Sequence, residues 1–464
     1  MNTAATVAME EPVGTLEVWA GRTHTVTRAE AVVLASPPFQ RLRRLRQMGL
    51  AFHAWPNAEN TRASHSLGVA HWASAYLDAL RHNGDGTTQA LLAGAAEQLE
   101  GLSQDVVLRL FGLLHDIDLL PLGHTLRYQS GLFPEPGERS RLAACVASIR
   151  AHARAHAFGE AAAEAERAEW LDAFDRHLDA ALAANTTPHG RLTAELVNSG
   201  LGADLLDFAV RDSFAIGRPQ RLHDDLPAGL RLVPTEQGAG LALSLSEGAV
   251  AVADDLYRAR FEVFAASVFH PVKLAADAML DLAVRRLGPA MCDSLLPEHR
   301  LVAIGDDELL DTVTDVEAAM AARLGGEPVT PALRAGRLHD EVWRTEDRAA
   351  FHRRPDAGRA VGLDPAWRDE AEAALLRAIP WAGPGEVIVA VSPAAMQAKP
   401  ANARFVAADG DVFTLAEAAG RGHLNQAAET AARYDTLWSL RVYLAPLGRS
   451  RAGEVAKAAA ELFG

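Results

Sequence analysis

Cysteine is what this sequence most conspicuously lacks: among 464 residues there are 2, Cys145 and Cys292. Neither belongs to a Cys-x-x-Cys pair, which excludes a disulfide framework and a zinc ribbon and makes a reducing cytoplasm the expected compartment. Long apolar runs are missing as well. No uncharged stretch reaches the ~18 residues of a membrane span, and Met1 to Pro12 carries Glu10 and Glu11 without an apolar core, so neither export nor a membrane partner is expected. Glycine (36) and proline (23) are too sparse for a low-complexity chain. Positive charge is in deficit: Lys+Arg 45 against Asp+Glu 60 gives a net charge of −15, which weakens any pull on nucleic acid. What is present, 49% hydrophobic and 23% charged residues, is the composition of a globular protein. The length exceeds the ~250–300 residues at which one core stops growing, so a large domain with appendages, or two domains, is expected.

Alternation over Thr15–Trp19 predicts a short strand. Ser36-Pro37-Pro38 reads as a helix start, and Phe39, Leu42, Leu45 and Met48 recur at three-residue spacing until Gly49. Arg41, Arg43, Arg44 and Arg46 decorate that helix, either as a solvated basic face or as a contact for an anion or a partner. Core helices are predicted over Ser64–Leu80 and Gln104–Leu114, with the turn-forming Asn83-Gly84-Asp85-Gly86 between them. The Ala- and Arg-rich stretch 139–184 reads as a helical insertion. Leu230–Val233 and Leu241–Leu245 flank Gln237-Gly238-Ala239-Gly240 and predict a hairpin. One helix is expected from about Val250 to Arg286, and strands within Glu386–Val391, Phe405–Leu415 and Ser439–Leu444. The predicted fold class is mainly α. A helical core over 26–288 carries the small hairpin, a strap over 1–25 precedes it, and a mixed α+β subdomain over 289–464 follows.

Four segments carry the chemistry: Thr61-Arg62-Ala63-Ser64-His65, Leu114-His115-Asp116-Ile117-Asp118, Pro121-Leu122-Gly123-His124-Thr125 and Asp204-Leu205-Leu206-Asp207-Phe208. Adjacent residues at a helix end point about 100° apart, so His115 and Asp116 can bracket one ion while His65 and Asp204 reach it from neighbouring helices. Two imidazoles and two carboxylates make a mixed N/O site that suits a divalent metal and leaves coordination positions for water and substrate oxygens. Asp207, Phe208, Arg211 and Asp212 follow Asp204 at i+3, i+4, i+7 and i+8 and share its helix face. Asp207 and Arg211 form either a structural ion pair or part of the site, and Phe208 is either core or pocket wall.

These segments, in this order, resemble the HD-domain phosphohydrolase superfamily, within it the deoxynucleoside triphosphate triphosphohydrolase-like branch of bacterial dGTPases and SAM- and HD-domain-containing dNTPases. The resemblance runs from about Val18 to Lys273 and takes in Phe39 to Gly49 and the helix from Arg260 to His270. It implies an HD-domain helical core in which His65, His115, Asp116 and Asp204 bind one divalent ion: Mn, Fe, Ni, Co, Zn or Mg. It implies a nucleotide or other small phosphate ester as substrate, phosphate contacts from Arg62 and Arg260, proton transfer by His189, and His124 at the pocket. Asp118, Phe208 and Asp212 are further substrate-side candidates. Relatives of this kind commonly assemble, so a homo-oligomer is expected, with the Arg-rich helix as a candidate contact.

The chain also departs from that pattern. Leu119 stands where a histidine near the phosphate is usual, Leu205 where a lysine is common, and Phe208 where a tyrosine is common. Phe264 and Val268 replace polar groups, and Arg127 occupies a usually acidic position. Hydrolysis of a dNTP to deoxynucleoside plus triphosphate is the first activity the resemblance implies. The departures lead one to expect that reaction to be weak, or replaced by a substrate with less phosphate charge or a different nucleoside, and Leu119 and Arg127 leave open nucleotide binding in a catalytically faded regulator; Asp118, His124 and His189, which could hold a second ion, leave open nucleoside monophosphatase, cyclic-nucleotide phosphodiesterase or di-metal oxygenase chemistry on the same fold.

Overall fold

The structure, a computed structural model, describes residues 8–19, 22–123, 125–126, 139–157, 164–183, 186–220, 226–236, 238–324, 327–361, 364–392, 403–423 and 426–464. A hairpin of β1 (Pro12–Trp19) and β2 (Arg22–Thr27) leads into α1 (Arg28–Ala35) and α2 (Pro37–Leu42). Then come α3 (Arg62–Asn83), α4 (Gly86–Glu97), α5 (Gln104–Leu114), α6 (Arg139–His156), α7 (Glu164–Leu182), α8 (Pro188–Asn198) and α9 (Ala203–Ala215). β3 (Leu230–Thr235) and β4 (Gly238–Ser244) precede α10 (Glu247–Val263) and α11 (Pro271–Leu295). The last part holds α12 (Asp306–Leu324), β5 (Asp340–Thr345), α13 (Pro365–Ala378), β6 (Val387–Val391), β7 (Arg404–Val406), β8 (Val412–Thr414), α14 (Ala427–Asp435), β9 (Leu440–Leu444) and α15 (Ala452–Phe463). The molecule is mainly helical with small sheets. Among the described residues no single helix is long and apolar enough to cross a membrane.

The helices that frame the site begin where side chains satisfy their first N–H groups: Thr61 caps α3, Ser103 caps α5 and Thr187 caps α8. Their apolar stripes meet in one cluster that includes Val69, Tyr76, Leu110, Leu113, Phe174, Leu196 and Leu206. The hairpin β3–β4 is present, and β4 pairs in parallel with β7, Ala242 opposite Arg404, in a sheet of order β3-β4-β7-β8. Phe405 and Phe413 thereby enter the main cluster from beyond residue 288. A second cluster surrounds α11 and includes Leu120, Leu122, Leu309 and Tyr443. A third lies on the sheet β5-β9-β6 with Trp367 and Trp438.

Two expected helices are shorter than the periodicity suggested. The one drawn from Phe39 to Met48 ends at Leu42, because the following backbone pairs with the approach to α3: Gln47 N donates to Asn60 O at 2.8 Å and Arg62 N to Leu45 O at 2.9 Å. The helix drawn from Val250 to Arg286 breaks into α10, a π-helical turn Phe264–Val268, and α11, with a bend of 56° ahead of Pro271, whose ring cannot continue a helix. The Arg-rich segment is spent inside the chain. Arg41 is 1% exposed and donates to the carbonyls of Ile117, Leu119 and Ile304, while Arg44 pairs with Glu308 and Arg46 with Asp307. Among the described cations of this segment only Arg43 is exposed without a named partner, so the basic face offered as a reason for self-association is mostly taken.

Candidate metal centre

Helices α3, α5 and α9 approach closely enough to bring their polar residues together because two positions carry no side chain. A Cβ on Gly112 would lie 2.8 Å from Cα of Ala70, and one on Gly68 would overlap the Asp207 carboxylate and the Arg211 guanidinium. At this junction His65 projects from α3, His115 and Asp116 end α5, and Asp204 opens α9.

His115 Nδ1 lies 2.8 Å from the Gly112 carbonyl, which can only accept, so Nδ1 carries the proton and the Nε2 lone pair is free. That Nε2 is buried without a hydrogen-bond partner, 3.6 Å from Asp116 Oδ2 and 3.9 Å from Asp204 Oδ1. His65 Nε2 is 3.1 Å from Asp204 Oδ1, and the two imidazole centroids are 5.3 Å apart. Ligand atoms of His65, His115 and Asp116 all lie within 4.8 Å of one another, so this His-His-Asp group could hold a metal ion, with Asp204 on its open side. Cis ligands about 2.1 Å from an ion sit roughly 3 Å apart, which these separations approach, and the orphaned Nε2 of His115 is a donor that an ion would satisfy.

Electrostatics hold the arrangement in place. Burial opposes a charge on His65, but hydrogen bonds to Asp204 and Asp207 outweigh it and raise the imidazole to about 10. A cation bound at Nε2 would displace that proton and leave Asp207, at Nδ1, as the orienting partner. That partner, Asp207, sits 2.8 Å from His65 Nδ1 and is gripped by Arg211 through Nε at 2.8 Å and Nη2 at 2.9 Å. Burial works against its charge, yet Arg211 and His65 hold the carboxyl below its ordinary value. Arg211 also donates to Val18 O at 3.2 Å, which ties the hairpin to the site. Asp116 is likewise lowered against burial by His115 and Arg62.

The remaining sequence candidates divide. Arg62 donates to Asp116 Oδ2 at 2.7 Å and to Gln47 O at 3.2 Å, so it braces a carboxylate of the candidate metal group. Asp212 is fully buried, and burial raises its carboxyl to about 6; Oδ1 accepts from Asn60 Nδ2 at 2.6 Å while Oδ2 has no partner. Phe208 meets Phe264 edge to face at 5.6 Å, and Arg260 lies over the rings of Phe264 (5.4 Å) and Tyr434 (6.0 Å), with no hydrogen bond or ion pair among the described residues. Asp118 is buried where its charge acts on Arg41 and the Cys145 thiol. His124 and Arg127 lie outside the described residues.

His189 is placed elsewhere. It lines a cavity of about 380 Å³ with Leu99, Leu102 and Thr187, at the N-terminal end of α5, and α5 is about 16 Å long at 1.5 Å per residue. His115, of the candidate metal group, sits at the other end. Sequence reasoning missed Gln47 and Asn60, whose side-chain oxygens are buried acceptors without partners, linked through backbone and side-chain bonds to Arg62 and Asp212. It noted Asp207 as the i+3 neighbour of Asp204 but had no means of seeing His65 across the helix pair.

No family model matches the chain. It is 26% identical over 257 residues to the uncharacterized protein MJ1154 of Methanocaldococcus jannaschii, covering 55% of this chain and 46% of that one. It is 23% identical over 257 residues to the uncharacterized protein YwfO of Bacillus subtilis, covering 55% and 51%. A 93-residue stretch, 20% of this chain and 12% of the relative, is 30% identical to the deoxynucleoside triphosphate triphosphohydrolase SAMHD1 of Mus musculus. The chain thus spans about half the length, or less, of the curated relatives it matches. In fold it resembles the crystal structure of a hypothetical protein from Aquifex aeolicus, with a TM-score of 0.60 at 16% identity over 95% of this chain and 99% of that one.

Proposed function

We propose that this protein is a metal-dependent phosphohydrolase with an HD-domain core, acting on a nucleotide. The observation that carries the proposal is the convergence of His65, His115, Asp116 and Asp204, with His115 Nε2 buried and unpartnered. Similarity of a short stretch to a dNTP triphosphohydrolase supports the reaction class. These four residues would hold a divalent ion, which would supply a Lewis acid for a phosphoryl oxygen and acidify a water. Arg62 fixes the Asp116 carboxylate, Asp207 fixes the ring plane of His65, and the buried Arg260, which has no anionic partner among the described residues, is proposed as the phosphate contact. Gln47 Oε1, Asn60 Oδ1 and Asp212 Oδ2 are buried acceptors short of donors, joined to the site through Arg62 and Asn60. His124 is the proposed proton donor to the leaving oxygen.

A dNTP cleaved to deoxynucleoside and triphosphate is the first substrate to test. A second reading, a nucleoside monophosphatase or phosphodiesterase, is favoured by how the cations are used: Arg62 is committed to Asp116, Arg211 to Asp207, and Lys273 to Asp277 at 2.5 Å. The deciding experiment incubates Mn-loaded protein with dNTPs, NTPs, diphosphates, monophosphates and cyclic nucleotides and identifies the phosphorus product by ³¹P NMR. Intact triphosphate from dNTPs supports the first reading; inorganic phosphate from monophosphates, or a nucleoside monophosphate from a cyclic nucleotide, supports the second. No turnover of any of them would refute the enzyme assignment.

A further inference from the structure

The two metal ligands at the end of α5 are followed by a turn, Ile117–Leu122, whose backbone is fixed from far along the chain. Asp306, the first residue of α12, is fully buried; its Oδ1 accepts from Leu122 N at 2.6 Å and its Oδ2 from Arg46 N at 2.7 Å, while its own N–H donates to Arg44 O at 3.0 Å. Arg41 bridges the same two regions, donating to the carbonyls of Ile117 and Leu119 on one side and of Ile304 on the other. The approach needs a glycine between them, since a Cβ on Gly305 would lie 2.6 Å from Cβ of Arg44.

The turn itself is strained. Leu122 has φ +56° and Gly123 φ +50°, and a left-handed leucine persists only where its surroundings over-determine it. The Asp306 carboxylate supplies that constraint at the Leu122 N–H. Gly123 packs on Arg62, where an added Cβ would come within 3.0 Å of Nη2, and Arg62 in turn holds Asp116. A continuous path therefore runs from Asp306 through Leu122 and Gly123 to Arg62 and the ligand.

We propose that the segment Ile304–Glu308 is a positioning element of the metal centre, with Asp306 in the segment and Arg41 on α2, bonded to its Ile304 carbonyl, as the positioning residues. Through the turn Ile117–Leu122 they set the affinity with which His115 and Asp116 hold the ion. This rests on the reading of the cluster as a metal site. It also gives the part of the chain beyond residue 288 a role in the site that its sequence does not announce, across a separation of 184 residues between Leu122 and Asp306.

The test measures Mn²⁺ affinity of the full chain by competition with a metal-sensitive dye, alongside thermal unfolding. Asp306→Asn replaces one of two acceptor oxygens with an amide that cannot accept, and is expected to weaken Mn²⁺ binding at least tenfold. Arg41→Lys, which cannot span both carbonyls, should do the same and serves if the first variant fails to fold. Asp307→Asn, an exposed neighbour bonded to the Arg46 side chain, should leave affinity within twofold. Leu375→Ala, in the third hydrophobic cluster, should lower stability without moving affinity. Affinities within twofold of wild type in both Asp306→Asn and Arg41→Lys would overturn the positioning role. Failure of the wild type to bind Mn²⁺, or retention of Mn²⁺ in a His115→Ala/Asp116→Ala variant, would instead overturn the metal-site reading and this inference with it.

Discussion

His65 is held between two carboxylates, and only Asp204 belongs to the proposed ion site; Asp207 acts from behind, through the other ring nitrogen. A partner of this kind fixes tautomer and ring plane and makes the imidazole a better donor. Asp207→Asn should therefore weaken Mn²⁺ binding by about 10- to 100-fold with all four ligands still present, measured by dye competition. An unchanged affinity would make Asp207 a purely structural partner of Arg211. His189 gives a second prediction at this scale. Burial holds its imidazole down to about 4, whereas an unfolded histidine titrates near 6.5. The folded state resists the proton, so the contribution of neutral His189 is fully present above about pH 6.5 and is lost as pH falls toward about 4. The interval corresponds to roughly 3 kcal/mol. Urea unfolding at pH 7 and at pH 4 should show a decrease about that much smaller in His189→Gln than in wild type; parallel decreases would contradict it.

At the scale of elements, the site exists because α3 can lie against both α5 and α9, and two glycines permit it. Asp207 and Arg211 are pinned by each other, by His65 and by Val18 O, so an added methyl at position 68 has no flexible side-chain end to push aside. Gly68→Ala should cost about 3–5 kcal/mol, the scale of a buried ion pair broken apart, and should lower metal occupancy; urea titration and elemental analysis read the two effects. The helices themselves were legible. α5 spans the predicted Gln104–Leu114, since an apolar face bounded by Ser103 and by the His-Asp pair marks both its ends. The proposed ligands were named from a family resemblance in their motifs, and the structure draws three of them, His65, His115 and Asp116, into one group, with Asp204 Oδ1 3.1 Å from His65 Nε2. The early stop at Leu42 was not legible: local spacing continues to Met48, and only the backbone of residues 60–62, brought alongside by folding, competes for those hydrogen bonds. His189 misled because its short motif says nothing about which end of α5 it meets.

The whole molecule is less divisible than its sequence suggested. Parallel pairing of β4 with β7 puts Phe405 and Phe413 into the main core, and the Arg404 guanidinium reaches Glu195 on α8 at 2.6 Å. Buried Arg285 joins Asp281 on α11 to Glu372 on α13, each at 2.8 Å. These links follow from contacts far apart in sequence, which composition and periodicity do not encode. A chain cut after Leu287 should accordingly fail to unfold cooperatively by circular dichroism, whereas a sharp transition would show that the first part folds alone. The proposed chemistry depends wholly on the metal site. Its most direct test is the metal content of purified protein after Mn²⁺ loading and desalting, wild type beside His115→Ala/Asp116→Ala. The expected result is about one ion per wild-type chain, as one site of this coordination type implies, and essentially none in the variant; equal metal in both would contradict it.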